Sequence, residues 1–513
     1  MVNLHYKVVL IISTLMFSLL LVWSCKDESS TEPPAVDKPV IVSFTADPAS
    51  VPAGGDSVKL TWVVNGATSL SISSGVGSVT PNDSGSVTVF VSASTTFTLT
   101  ATNSSGNTTA DAQVSVAQAI TVNGYVKDIN GEPVTGATVI IKGKTPTTTG
   151  ASGNFSVSNV MVPYEIRLIY SGGSVQTAVV YQGLTRTDPT VIYLGVTTNF
   201  KSATISGTVP AAVGKYTQVF FVSGDLAWST AANQNNGTYT INAGWYGSTN
   251  SHTGNLYVLR WIPNSNNLPQ EYDAYGLEEN VPISNGGSFT NHNFLPTDFI
   301  DPAEQNITGS ITLPSSSYSI KQKSLLLNFG NANINISGES GAGLTANFSY
   351  VVPSISATFE IDVQAEVSAI PSSRTAMYRK KGITGGSSGV NITLASAPQL
   401  NLPANNGNEI DTTTQFLWTL GGGTGISIVR INPMGQGPAF FIFTGSNNTY
   451  IPNLSPQGLG LPAFQPYQWY TLQYYPLSSI DEAASDSFIK FINGHGGEFG
   501  VGQSEMFNFT TKQ

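Results

Sequence analysis

Cysteine is almost missing from this chain: one occurs in 513 residues, at position 25. No intramolecular disulfide is available, so packing and hydrogen bonds alone must hold every folded part. Charge is scarce as well. Asp, Glu, Lys and Arg make up 10% of the residues, against ~25% in an average soluble domain. The balance is acidic, with a formal net charge of −10. The basic residues gather nowhere beyond Arg379-Lys380-Lys381, which excludes nucleic acid as an expected partner, because phosphate binding takes clustered cations. After His5 the only histidines are His252, His292 and His495, none with a second ligand at metal-binding spacing. They read as loop residues, and neither a metal nor a cofactor is expected. Phosphate loops and dinucleotide fingerprints are absent. Gly385-Gly386-Ser387-Ser388-Gly389 satisfies G-x-S-x-G, yet a nucleophile elbow lies between a strand and a helix. Here a turn leads into the strand-like VNITLA, so no catalytic residue is assigned.

The N-terminus explains the cysteine. Lys7 precedes Val8–Trp23, an uncharged apolar run shorter than the ~20 residues of a membrane-spanning helix. It has the form of a secretory signal, 1–24. An unpaired cysteine in a secreted chain calls for its own explanation, the bland one being an incidental thiol in a membrane anchor. LVWSC, Leu21–Cys25, resembles a loose lipobox of Bacteroidetes-type lipoproteins. That resemblance implies lipid on Cys25, and two or three acyl chains suffice for stable anchoring. Lys26-Asp27-Glu28 is similar to the surface-export signal of those lipoproteins; the same residues also read as the start of a solvated tether, 25–37, rich in proline and polar side chains. The resemblance implies an outer-membrane, lipid-anchored protein at the cell surface, with the periplasmic face as the alternative.

The remainder reads as all-β. Short alternating apolar runs are separated by Gly, Asn, Pro and Ser clusters, the pattern of antiparallel sandwiches. Residues 38–117 contain SVKLTWVVNGA and TTFTLTATNSSG. They resemble a bacterial PKD-like, immunoglobulin-like domain, with Trp62 as the expected core tryptophan. Residues 119–196 carry Gly124, Val126, Asp128, Gly131, Pro133, Gly136, Ala137, Thr149, Gly153 and Phe155. This set resembles the carboxypeptidase regulatory-like domain, a non-catalytic transthyretin-like sandwich. Asn130-Gly131 predicts a tight turn, a better account of Asp128, Asn130 and Glu132 than a calcium loop. Gly136-Ala137 is expected to keep a crossing point small. Residues 198–300 and 302–397 open alike, with ATISGTVP and NITGSITLP, and read as diverged copies of one sandwich of the same broad class. Residues 398–513, with FLW and YQW, are similar to a fibronectin type III domain.

One functional hint is aromatic. Trp228, Trp245 and Tyr246 lie in GDLAWST and INAGWYGSTNS, among the Gly and Asn of loops. Exposed rings there would stack on sugars; core packing is the alternative, as it is for Tyr257 and Trp261 of YVLRW. The expectation is a non-enzymatic surface lipoprotein, a multi-domain stalk of adhesive or binding role. Its partners are a membrane through the lipid and a polysaccharide or extracellular protein. Glycan binding for polysaccharide uptake is the second reading. An enzyme of unfamiliar type is the third and would need polar groups from separate loops.

Overall fold

Alternation of apolar and polar residues puts nearly every strand half in and half out of a core. In Asp56–Asn65, Val58, Leu60, Trp62 and Val64 are all buried while the residues between them reach the surface. The computed structural model describes residues 36–172, 175–195, 200–224, 228–229, 232–233, 237–330, 332–475, 477–492 and 496–513, without the side chains of 171, 172, 175, 228, 232 and 233. They form serial β-sandwiches in two compact units, one ending at Val116 and one starting at Ala117.

The first unit is a single sandwich. One sheet holds Val40–Asp47, Asp56–Asn65 and Ser84–Val91; the other is centred on Thr95–Asn103 and Gly106–Val116. Trp62 fills the space between them, and its indole Nε1 donates to the Pro81 carbonyl at 3.1 Å. A buried indole keeps its polar edge satisfied in this way.

The second unit contains four sandwiches. The second, third and fourth sandwiches of the chain share one strand plan. In each, the opening strand is central to a small sheet and has an antiparallel and a parallel neighbour. For Ala119–Asp128 these are Asn154–Met161 and Thr190–Tyr193. For Lys201–Thr208 they are Thr238–Trp245 and Ser288–Phe289. For Glu304–Thr312 they are Asn347–Pro353 and Val390–Thr393. A second, antiparallel sheet closes each sandwich. Gly124 is the crossing point in the second sandwich: a Cβ there would meet the Phe155 ring at 2.3 Å. Gly136, expected to serve that purpose, has open space around its Cα and a φ of +71°, so its backbone conformation and not its size is what the turn needs. Gly131 likewise has a φ of +85°, and Asp128 Oδ1 accepts the amides of Asn130 and Glu132. The acidic cluster is a capped turn.

The sandwiches do not follow one another simply. A 14-stranded sheet runs through the second, fifth and fourth. Val175–Leu184 pairs in parallel with Ala439–Thr444, from Thr177↔Ala439 to Gln182↔Thr444. Arg374–Ile383 pairs antiparallel with Phe499–Gln503. Val175–Leu184 is buried on both faces, as parallel strands usually are. Val179 and Tyr181 enter the core of the second sandwich, and Ala178 and Val180 that of the fifth.

One segment after Tyr475 joins three sandwiches. It contains α1 (Ile480–Ala483), α2 (Asp486–Ile492) and the strand Phe499–Gln503. Phe488, Ile489 and Phe491 of α2 lie in the same core as Val122, Phe155 and Val191. Asp481 accepts the Thr185 amide at 2.9 Å, and the Thr190 amide donates to the Ala484 carbonyl at 2.9 Å. No helix among the described residues is long and apolar enough to cross a membrane.

Candidate binding cleft

Trp245 stands on the strand Thr238–Trp245 and is fully buried with Phe221, Ile241 and Val258. Its Nε1 donates to the Thr249 carbonyl at 2.9 Å, and His252 meets it edge-on at 4.9 Å. The sugar-stacking role expected of Trp245 is therefore corrected: neither ring face is open. Asn242 and Gly244 are strand residues, Gly247 and Asn250 follow the strand, and its alternation sends Trp245 inward. Tyr246 is half-buried and tilts against Phe200 at 5.2 Å. The backbone of Trp228 pairs with Gly244; its side chain lies outside the described residues, as do Cys25, Lys26, Asp27, Glu28 and His495. The other histidines are not free loop residues. His252 is buried, and His292 Nδ1 lies 2.9 Å from Glu278 Oε1.

The better-formed site lies where the third and fourth sandwiches meet. Tyr216–Val222 and Ser251–Pro263 are adjacent strands. Val219, Phe221 and Val258 face the third sandwich's own core, whereas Phe220, Tyr257, Leu259 and Trp261 face the core of the fourth. The YVLRW residues are thus apolar on both strand faces because both faces are covered. Tyr257 stacks on Phe329 of the fourth sandwich with centroids 4.4 Å apart. At the edge of this contact a cleft of about 880 Å³ opens, lined by Ser223, Thr253, Asn255, Tyr257, Phe329 and Thr358 among others.

The cleft is shaped by hydrogen bonds behind it. Asn255 Oδ1 accepts the Asn280 amide at 3.1 Å, and its Nδ2 donates to the Tyr257 hydroxyl at 3.3 Å. Asn328, also on the wall, donates through Nδ2 to Asn333 at 2.5 Å and to Glu360 Oε1 at 2.6 Å, while its Oδ1 accepts the Gly330 amide at 2.8 Å. Glu360 is buried, with Lys381 at 3.4 Å and Arg379 at 3.8 Å. Burial raises its carboxyl above the usual range against the pull of those two cations. This carboxyl anchors the wall and does not line the cleft. Tyr257 is the only titratable group among the described lining residues. The described surface offers hydroxyls, two amides and stacked rings, with no acid–base pair. Among the described residues no cluster of three or more His, Cys, Asp or Glu could hold a metal.

A second cleft, about 640 Å³, lies beside α1 and α2 and is lined by Arg186, Asp481, Glu482 and Lys490 among others. Its acids are committed to structure. Asp481 bonds Thr185, and Glu482 bonds the amide and hydroxyl of Ser478.

No protein-family model and no curated protein matches the chain. Solved structures overlap it in part. A structure of the Bacillus anthracis TIE protein is 11% identical over 68% of this chain and 74% of that one, with a TM-score of 0.15. A structure bearing on host cell surface retention of a 1.5-MDa bacterial ice-binding adhesin is 14% identical over 50% and 100%, with a TM-score of 0.14. Immunoglobulin domains 1–5 of Sidekick-1 are 9% identical over 92% and 98%, also at 0.14. Overlaps so slight carry no function across. The chain's own strands and cores define its class: a protein of serial β-sandwiches.

Proposed function

We propose that this chain is a non-enzymatic binding protein displayed on the cell surface, and that the cleft between the third and fourth sandwiches receives an uncharged, hydroxyl-rich glycan. In this reading Cys25 carries the lipid and Lys26-Asp27-Glu28 direct export. The five sandwiches are immunoglobulin-like, transthyretin-like (three) and fibronectin III-like modules within the boundaries expected above. The shared strand plan of the second, third and fourth supports one class for those three. The observation that carries the functional reading is the composition of the cleft wall. Ligand sites favour junctions between domains and combine apolar surface with a few polar groups, and Tyr257, Phe329, Asn255 and Thr253 supply both at such a junction. Among the described lining residues none is charged at neutral pH, which favours neutral sugars over acidic ones.

The test is a panel of neutral polysaccharides against the purified protein, beside Thr253→Ala and Phe329→Ala. Saturable binding weakened at least tenfold by either substitution, with the thermal transition kept, is the expected result. Binding that both variants retain in full would remove the cleft from the account. Turnover of any polymer, lost on a single substitution, would make the protein an enzyme.

A further inference from the structure

Arginine's planar guanidinium matches a carboxylate and makes it the residue of choice for buried ion pairs. Five of the six described arginines have a carboxylate partner. Arg167 pairs with Glu165, Arg186 with Asp188, Arg260 with Asp273, Arg374 with Glu505 and Arg379 with Asp362. Among the described residues Arg430 is the exception. It stands on Ile426–Pro433, between the strands Ala439–Thr444 and Pro466–Tyr475, directly opposite Phe441 on one side and Tyr470 on the other. Its guanidinium carbon lies 4.6 Å from the Phe441 ring centre and 5.4 Å from that of Tyr470. The side chain is half-buried, and Nε is shut off from solvent without a hydrogen-bond partner.

The surroundings are specific. Val429 and Ile431 point into the fifth core, so Arg430 lies on the opposite face of the sheet. Ile426 and Ile428 occupy that same face and are buried with Phe488 of α2. Beyond the helix Arg430 is followed by Asn432, which pairs with Gln468, which in turn pairs with Asn508. A row of three half-buried amides therefore runs beside the row Phe441–Arg430–Tyr470.

We propose that Arg430, framed by Phe441 and Tyr470, binds the carboxylate of an acidic sugar, a uronic-acid unit of a polysaccharide, while the Asn432–Gln468–Asn508 row receives its hydroxyls. The two rings flank the guanidinium; with Nε shut off from solvent, its terminal N–H groups are the ones left to address a carboxylate in a strong charge-assisted pair. Partial burial strengthens the attraction further. A peptide is the poorer fit. The strand is central, with both backbone edges already paired, so no added strand can dock there. Side-chain amides on a flat face match a ring of hydroxyls instead. This site is separate from the neutral cleft and does not depend on it.

Polygalacturonate, neutral galactan and poly-glutamate are titrated calorimetrically into the purified protein and into Arg430→Ala, Arg430→Lys, Gln468→Ala and Thr253→Ala. The expected result is polygalacturonate binding that is weakened by salt and depends on Arg430, with no poly-glutamate binding and with any galactan binding unchanged in Arg430→Ala. Arg430→Ala loses at least tenfold in affinity and Arg430→Lys recovers only part of it. Gln468→Ala loses severalfold, and Thr253→Ala loses nothing. Absence of polygalacturonate binding by the unaltered protein overturns the proposal. So does equal binding of poly-glutamate, or full binding by an Arg430→Ala protein with an unchanged melting curve. Should Arg430→Ala not fold, Gln468→Ala decides, because its surface amide is not needed for the core.

Discussion

Trp245 shows what a residue's neighbours in sequence conceal. Asn242 and Gly244 before it belong to the strand, Gly247 and Asn250 after it lie beyond the strand, and the burial of Trp245 follows the strand's alternation. Removing a fully buried aromatic leaves a cavity that costs roughly 3–5 kcal/mol. Trp245→Ala is therefore expected to destabilise the third sandwich by that amount, read as a lower urea midpoint, and to disturb any ligand only through unfolding. A variant as stable as the parent would contradict the burial described here. Asp273 acts at the same scale through charge. Burial alone would raise its carboxyl, but hydrogen bonds and attraction from Arg260 and Lys215 outweigh that and hold it below its usual value. A depressed folded-state pKa contributes stability above the unfolded value of ~3.9, and that contribution fades as the pH falls through the folded value. Urea midpoints of the parent and Asp273→Asn should thus differ at pH 7 and converge as the pH drops below about 4. A gap independent of pH would show that shape, not charge, makes the pairing matter.

At the scale of elements, two pieces do more than their own sandwich requires. Val175–Leu184 serves two cores because every residue from Thr177 to Tyr181 is buried. The run TAVVY signals a strand covered on both faces, although not what covers it. The helices after Tyr475 are short, and the apolar periodicity of so few residues is hard to see. Their start is nevertheless marked. Ser479-Ile480-Asp481-Glu482 fits the S-x-x-E pattern of a capping box, and the Ser479 hydroxyl does accept the Glu482 amide, at 3.4 Å. Phe488 and Phe491, one turn apart, then face the same core.

For the molecule as a whole, residues 119–196 are not expected to be self-sufficient. Cut free, they lose the strand Ala439–Thr444 along one edge and the apolar cover of α2. An exposed, flat, apolar edge invites association. A 119–196 fragment should therefore aggregate or lack a cooperative melt, as judged by size-exclusion chromatography and circular dichroism, while the full chain melts with that region intact. A monomeric, cooperatively folding fragment would show that the continuous sheet is not needed for stability.

Much of the architecture is legible before any coordinates. The period-two runs between Gly, Asn, Pro and Ser clusters lead to all-β sandwiches, because alternation along a strand is a local property that each segment carries by itself. Trp62 is readable as core for the same reason. Contacts between segments hundreds of residues apart are different. That Val175–Leu184 would lie beside Ala439–Thr444, that Tyr257 would face Phe329, and that Arg430 alone among the described arginines would lack a carboxylate all depend on which edges and faces meet. Strand pairing is non-local and its hydrogen bonds are made by the backbone, so an alternating pattern sets which face turns inward while remaining compatible with many pairing partners. The sequence by itself determined the kind of element and the inward side of each. Only the tertiary structure decided which elements share a core, and hence where a cleft and an unpaired cation were left at the surface.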